Sequence, residues 1–291
     1  MTSLVSVVIP TYNRCEFLLE ALRSVSAQTF SHYEILVVDD GSTDQTEEAM
    51  KSLAKPISYI FKPHGGAASA RNCGIQAAAG RYVAFLDSDD LWEPKFLEAT
   101  VSYLDSHPDF AMVATAWKTF PHSSHRPRVR KLRLEGDLFP ALIQQRLIRT
   151  SAVVVQRECF DRLGLFNPEL EPAEDYDMWL RMARAYPVAF LNIPLTWARM
   201  HSGKLSSNRL DSRKRLLEVF EANYDPDRVP MSRYNRLRSN WYLSIGRYEL
   251  KLGQVREAEK CFRQACALAP FRLRPRRYLM KAILAGYRRP F

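Results

Sequence analysis

Short apolar runs alternate with stretches of helical spacing over the first two thirds of the chain. Residues 4–9, Leu-Val-Ser-Val-Val-Ile, are β-branched and apolar and stop at Pro10, the pattern of a buried strand. Residues 14–27 place Phe17, Leu18, Ala21, Leu22 and Val25 at helical spacing. Residues 33–38 predict a second strand running into Asp39-Asp40-Gly41-Ser42, then a helix from about Thr43 to Leu53 with Ser42 or Thr43 as N-cap. Residues 57–61 predict a third strand, 67–79 an Ala-rich helix, and 81–86 a fourth strand ending on Asp87-Ser88-Asp89-Asp90. This alternation predicts βαβ units on a parallel sheet. Beyond it the pattern predicts a helix at 94–106, strands at 110–117 and 150–155, an amphipathic helix at 174–185, a last strand at 188–193 and a helix at 206–224. The polar stretch 118–136, with Pro121, Pro127 and several basic residues, predicts a mobile loop.

The last sixty residues follow another rule. Ile245, Gly246, Leu250, Gly253, Ala258, Phe262, Ala265 and Pro270 fall at the spacings of one helix-turn-helix unit resembling a tetratricopeptide repeat. Small residues there let two helices approach, and Phe262 fills the space between them. One such unit cannot bury its apolar face alone, so packing on another domain or in a homodimer is expected. Residues 271–291 are rich in Arg and aromatic side chains and predict one more helix.

Composition narrows the class. With 291 residues, 46% hydrophobic and 25% charged, the chain is neither disordered nor a disulfide scaffold. No apolar run reaches the roughly 18–20 residues of a membrane span. The start lacks a basic n-region and a cleavage site, and predicts a strand rather than a signal peptide. Five cysteines without a CxxC pair fit thiols in a reducing cytosol. Charge is uneven: residues 1–196 hold 20 basic and 24 acidic side chains, and residues 197–291 hold 22 and 8. The basic third predicts attraction to a polyanion, with a solvated helical face as the alternative. No recognition motif accompanies it, so nucleic acid is not expected.

The acidic clusters follow the carboxyl ends of the second and fourth predicted strands, where ligands of open α/β sheets bind. Asp87 and Asp89 form a DxD that can hold a hard divalent cation through oxygens; a turn with capping carboxylates is the alternative. Asp39 and Asp40 could accept from a base N–H or a ribose hydroxyl, or simply cap a turn. Tyr12 could stack on a base or pack at the rim of the core. Arg71, in the turns after His64-Gly65-Gly66, could fork onto a diphosphate or pair with a nearby Asp. Glu174-Asp175 opens a helix, where an acid either caps the dipole or serves as a general base. His201 could complete a metal shell or touch phosphate.

Five segments in this order resemble a family 2 glycosyltransferase. They are Ser6-Val7-Val8-Ile9-Pro10-Thr11-Tyr12-Asn13-Arg14, Val38-Asp39-Asp40-Gly41-Ser42-Thr43-Asp44, Ala70-Arg71-Asn72-Cys73-Gly74, Ala84-Phe85-Leu86-Asp87-Ser88-Asp89-Asp90 and Glu174-Asp175-Tyr176-Asp177-Met178-Trp179-Leu180. The resemblance covers about residues 4–200. It implies an α/β fold of GT-A type: a Rossmann-like, mixed, mainly parallel sheet flanked by helices. The division expected is a catalytic domain at 1–205, a helical linker at 206–232 and a basic helix-turn-helix region at 233–291.

Carried onto this chain, the resemblance implies that Pro10, Thr11 and Tyr12 line a base pocket. Asp40, with Asp39 beside it, would meet the base, and Arg71 would reach the diphosphate. Asp87 would hold ribose or metal, Asp89 would ligate Mn²⁺ or Mg²⁺, and Asp175 would be the catalytic base. It further implies a nucleotide-diphospho-sugar donor, UDP-sugar first among candidates, with inversion at the anomeric carbon. The Gln-x-x-Arg-Trp segment of processive members is missing, which predicts a single transfer. His64 replaces the amide expected before the glycines and leaves donor selectivity open. The expected setting is bacterial-type surface polysaccharide or glycolipid synthesis on a lipid-linked or glycan acceptor. The expected place is the cytoplasm, peripheral at the inner face of an anionic membrane. A metal-dependent nucleotidyltransferase and a non-catalytic scaffold are the alternatives. The first lacks its Gly-rich basic loop after strand one, and the second is at odds with intact Asp87, Asp89 and Asp175.

Overall fold

The computed structural model describes residues 5–53, 57–120, 134–145, 147–200 and 209–287. They form two compact units, residues 1–202 and 203–291. The first runs β1 (Val5–Thr11), α1 (Cys15–Ser26), β2 (Tyr33–Asp39), α2 (Thr46–Lys51), β3 (Ser58–Phe61), α3 (Gly66–Ala77), β4 (Tyr82–Phe85), β5 (Leu91–Trp92), α4 (Phe96–Ser106) and β6 (Met112–Phe120). It continues through β7 (Leu134–Gly136), α5 (Phe139–Leu142), β8 (Val153–Gln156), α6 (Glu158–Leu163), α7 (Glu174–Ala185) and β9 (Val188–Arg199). The second contains α8 (Arg209–Ala222), α9 (Met231–Lys251), α10 (Val255–Leu268) and α11 (Leu273–Tyr287). Among the described residues, no helix is long and apolar enough to cross a membrane.

The strands of the first unit form one mixed sheet in the order β3-β2-β1-β4-β8-β6-β9-β5, with β7 also on β9. Strands β1, β2, β3 and β4 pair in parallel, and β6 with β9 points the same way, separated from them by the antiparallel β8. The expected mainly parallel sheet of GT-A type is therefore what the chain builds. Val5, Val7, Val8 and Ile9 are fully buried, as their unbroken apolar run requires of a central strand covered on both faces. The helix α3 crosses β1 at Gly74, where a Cβ would sit 2.3 Å from Val8 Cγ1. Ala70 on the same helix is also fully buried.

Three boundaries differ from the sequence reading for local reasons. The second helix starts at Thr46 rather than at Thr43. Ser42 and Thr43 are spent on the neighbouring turn, where Asn13 N–H donates to Ser42 Oγ and Asn13 Oδ1 accepts from Thr43 N–H. Asp44 takes the N–H of Thr46 with one oxygen and that of Cys15 with the other, serving the starts of α1 and α2 together. The last strand does not stop at residue 193 but runs on to Arg199. Pro194 falls at a register shift opposite Ala116, where its missing N–H costs no ladder bond. The stretch 118–136 opens with the end of β6 and closes with β7; the rest of that expected loop lies outside the described residues.

In the second unit α9 and α10 form the helix hairpin expected from the spacing of small residues. Phe262 is fully buried and a Cβ at Gly246 would lie 2.7 Å from its ring. Residues 209–222, read as part of a linker, form α8 within this unit: Lys214 Nζ lies 3.1 Å from the buried Glu249 of α9, and Arg238 Nε 2.7 Å from Glu221. The expected extra helix is α11, with Ala282 buried and Tyr278 against Phe262 at 5.6 Å between ring centroids.

Substituting Gly74→Ala should lower the denaturation midpoint of the first unit by an amount worth about 1–3 kcal/mol, because neither Val8 nor the α3 backbone has room to yield. A variant that unfolds with the wild-type midpoint would show that α3 can move off β1.

Candidate active site

Parallel strands end on one edge of the sheet, and there the acidic clusters gather. The third carboxylate of the DxD segment, Asp90, is fully buried. Its Oδ1 accepts from Arg199 N–H at 3.0 Å and its Oδ2 from Ser151 Oγ at 2.7 Å, so Asp90 braces the turn after β4 against β9. Asp87 is more open. Its Oδ1 takes Arg71 Nη2 at 2.8 Å. Asp89 faces Arg14 from the turn after β1, Nη1 to Oδ2 at 3.2 Å. Oxygens of Asp87, Asp89 and Asp90 lie within 4.8 Å of one another.

This donor set fits a divalent cation. It is all oxygen, it converges, and with Asp90 committed to the fold it leaves one or two carboxylates for a metal that keeps waters and meets phosphate oxygens. Arg14 and Arg71 supply countercharge beside Asp89 and Asp87.

Arg71 pairs with acids, the second of the two readings its position offered: its guanidinium is buried and forks between two carboxylates, Nη2 to Asp87 and Nη1 to Glu174 Oε1, both at 2.8 Å. Its ring-like face also lies 5.7 Å from the centroid of Phe166. Asn72 beside it exchanges two hydrogen bonds with the Phe166 backbone, at 2.8 and 2.9 Å. Residues 70–74 therefore fasten α3 to β1 on one side and to the segment leading into α7 on the other.

Glu174 is the part of this cluster that the sequence reading did not separate from its neighbour. It is buried, and burial pushes its carboxyl up to about 7, with Arg71 pulling it down and Asp175 pushing it further up. Its second oxygen, Glu174 Oε2, is buried and has no hydrogen-bond partner among the described residues. Asp175, the next residue, is half-buried in the first turn of α7, and its Oδ1 accepts from Tyr176 N–H at 2.7 Å. The adjacent acids thus divide: one is held inside by Arg71, the other lies at the margin of the site.

At the far side, both oxygens of Asp39 are bonded within the fold. Its Oδ1 accepts from Ser42 N–H at 2.8 Å and its Oδ2 from Tyr59 Oη at 2.6 Å. Burial, and then that bond, push the Tyr59 phenol well above its ordinary range. Asp40 is also engaged. Lys62 Nζ lies 2.5 Å from Oδ1, His64 Nδ1 lies 2.8 Å from Oδ2, and the N–H groups of Gly65 and Gly66 donate to the same carboxylate. With Glu171 Oε1 on Ala68 N–H at 2.7 Å, these acids satisfy the amino end of α3. Tyr12 is 43% exposed and stacks on His64, with ring centroids 4.3 Å apart. Thr11 is buried at the end of β1, its Oγ1 without a partner, and Pro10 precedes it in the same strand. His201 lies outside the described residues. Lys62 had no place in the expected site. Arg14 closes the first of the five matched segments, two residues after Tyr12, and Glu174 opens the last of them beside Asp175, which is the one sequence signal that pointed to them.

If Arg71 is a strut between two carboxylates, Arg71→Met should cost about 3–5 kcal/mol of stability, because it strands Glu174 as an unpaired buried acid. The double variant Arg71→Met, Glu174→Met should recover a good part of that loss in denaturant titrations. An arginine that served a ligand alone would leave stability unchanged.

Comparison with known proteins agrees with this architecture. The model for glycosyl transferase family 2 matches residues 6–160. An uncharacterized glycosyltransferase of Rickettsia prowazekii is 33% identical over 226 residues, 75% of this chain and 69% of that protein. The UDP-Glc:alpha-D-GlcNAc-diphosphoundecaprenol beta-1,3-glucosyltransferase WfaP of Escherichia coli is 28% identical over 228 residues, 75% of this chain and 86% of that one. Among solved structures, S. aureus TarS 1-349 in complex with UDP-GlcNAc superposes with a TM-score of 0.69 at 19% identity, covering 96% of this chain and 89% of TarS 1-349. The sheet, the carboxylates at its edge and the matched motifs lead to one conclusion: the chain is a glycosyltransferase and belongs to glycosyl transferase family 2.

Proposed function

We propose that this glycosyltransferase moves one sugar from a nucleotide-diphospho-sugar to an acceptor hydroxyl with inversion, as a step in bacterial surface polysaccharide or glycolipid synthesis. The observation that carries the reading is the Arg71 fork. It sets Asp87, at the end of β4, beside the first turn of α7, where Asp175 follows Glu174. A carboxylate pair suited to a diphosphate-bound cation and a half-buried base then share one edge of the sheet.

In this reading Asp89 and Asp87 hold Mn²⁺ or Mg²⁺, which neutralises charge on the departing diphosphate when bound. Asp175 accepts the proton of the attacking hydroxyl. Its neighbour Glu174 is tied inward by Arg71, so Asp175 is the acid left at the margin. Arg71 positions both ends of the site and does not itself meet the diphosphate. Tyr12, Pro10 and Thr11 form the wall against the base, with Asp40 and His64 at its edge. Asp39 holds the turn under them. The donor reading as a UDP-sugar is supported by TarS, solved with UDP-GlcNAc, and by the name of WfaP. The lipid-linked acceptor is supported by the diphosphoundecaprenol in that same name, and a setting at a membrane surface goes with such an acceptor.

Calorimetric titration with UDP, GDP and their sugar conjugates, with and without manganese, tests the donor site. One nucleotide should bind in a metal-dependent way, and Asp89→Ala should abolish that binding. A folded protein that binds none of them would overturn the reading. For the base, Asp175→Asn should lower the transfer rate by about 10²–10⁴-fold while donor affinity stays within a few-fold. Loss of donor binding in that variant would instead place Asp175 in the donor pocket.

A further inference from the structure

The outer face of α11 is built unlike the rest of the second unit. The inner face packs: Ala282 is fully buried, and Tyr278 lies against Phe262. The outer face leaves Leu273, Met280 and Leu284 exposed, at 79%, 57% and 56%. At 100° per residue these three fall within about 40° of arc, a narrow apolar stripe that Arg276 and Arg277 border in the turn between Leu273 and Met280. Phe271, just before the helix, is 96% exposed. Arg276 falls on one flank of the stripe, and Arg277 and Lys281 on the other. Residues 260–291 contain nine Lys and Arg and no Asp or Glu.

We propose that this face of α11 docks in the interfacial layer of an anionic lipid bilayer, with the stripe and Phe271 entering the acyl boundary and the flanking cations at the headgroups. Two features select this occupant. An apolar stripe bordered by long cationic stems matches an interface where the carbons go inward and the charges stay at phosphate level. The absence of any acid over 32 residues argues against a second copy of the chain, which would set like charges against like. The docking gives a physical basis to the membrane setting proposed above, but it needs neither donor nor acceptor to be observed.

The test is co-sedimentation with vesicles of phosphatidylcholine alone and of phosphatidylcholine with about one third phosphatidylglycerol, the fraction that mimics an anionic leaflet. Wild type, Leu273→Ser/Met280→Ser/Leu284→Ser and Arg276→Glu/Arg277→Glu are compared in low and high salt. Because the altered side chains are exposed, circular dichroism and thermal midpoints should match wild type. Wild type should sediment with the anionic vesicles only, less so in high salt, and each variant should lose affinity by about tenfold or more. Vesicle binding that the serine variant keeps in full would overturn the proposal, since charge alone would then suffice. So would a wild type that ignores the anionic vesicles. A wild-type dimer, seen by light scattering, that the serine variant dissolves while vesicles retain neither protein would assign the stripe to a second copy instead. Nucleotide binding measured in parallel separates failure here from failure of the donor reading.

Discussion

A buried guanidinium must be surrounded by carboxylates, and Arg71 is the charge on which this catalytic unit is organised. Placing it inside the protein would be costly unless both ends of its fork were met. They are met by Asp87 from the end of β4 and Glu174 from the start of α7, residues far apart in sequence. Because the fork is planar and rigid, it sets the spacing of those two elements as well as their charge. The residues around it serve the same joint. Asn72 binds the Phe166 backbone, Ala70 and Gly74 let α3 lie directly on β1, and Phe166 covers the guanidinium. A stretch that reads as a ligand motif is thus also a packing motif.

The site is a set of acids divided by their surroundings. In three places an acid is consumed by the fold beside a neighbour that is engaged differently. Asp90 is bound by Ser151 and Arg199, Glu174 by Arg71, and Asp39 by Ser42 and Tyr59. Beside them lie Asp89, Asp175 and Asp40. The inner member of each pair fixes the backbone from which its neighbour projects. The neighbours are held too: Asp89 faces Arg14, Asp175 accepts from Tyr176 N–H, and Lys62, His64 and two backbone N–H groups converge on Asp40. A nucleobase contact at this edge would have to be made with that network in place or by rearranging it.

The second unit follows a simpler physics. Its helices approach through Gly246, Ala258 and Ala265, fill the gap with Phe262, and anchor α8 through the buried Glu249. Its acids are mostly spent on such pairs, and none remain beyond Glu259. The positive charge of the chain is therefore concentrated where the last helix turns an apolar stripe outward.

Much of this was legible in the sequence. Period-two and unbroken apolar runs gave β1, β2, β3 and β4, and helical spacing gave α1, α3, α4 and α7, because these elements bury one face or both and the burial writes itself into the pattern. The Gly and Ala positions of α9 and α10 were legible for the same reason. The short elements β5, β7, α5 and α6 left no such trace: none of them forms an apolar run or a helical repeat that stands out from its surroundings. The continuation of β9 past Pro194 depended on a bulge in a partner strand, which no local signal carries. The site divides along the same line. Residue types and their order singled out Asp87 and Asp89, after a strand, and Asp175, at a helix start, as candidates. Which acid of each pair turns inward, and whether Arg71 faces a ligand or the core, was decided by contacts between segments up to about a hundred residues apart. Charge pairing is set by distance in space, and the sequence records only distance along the chain.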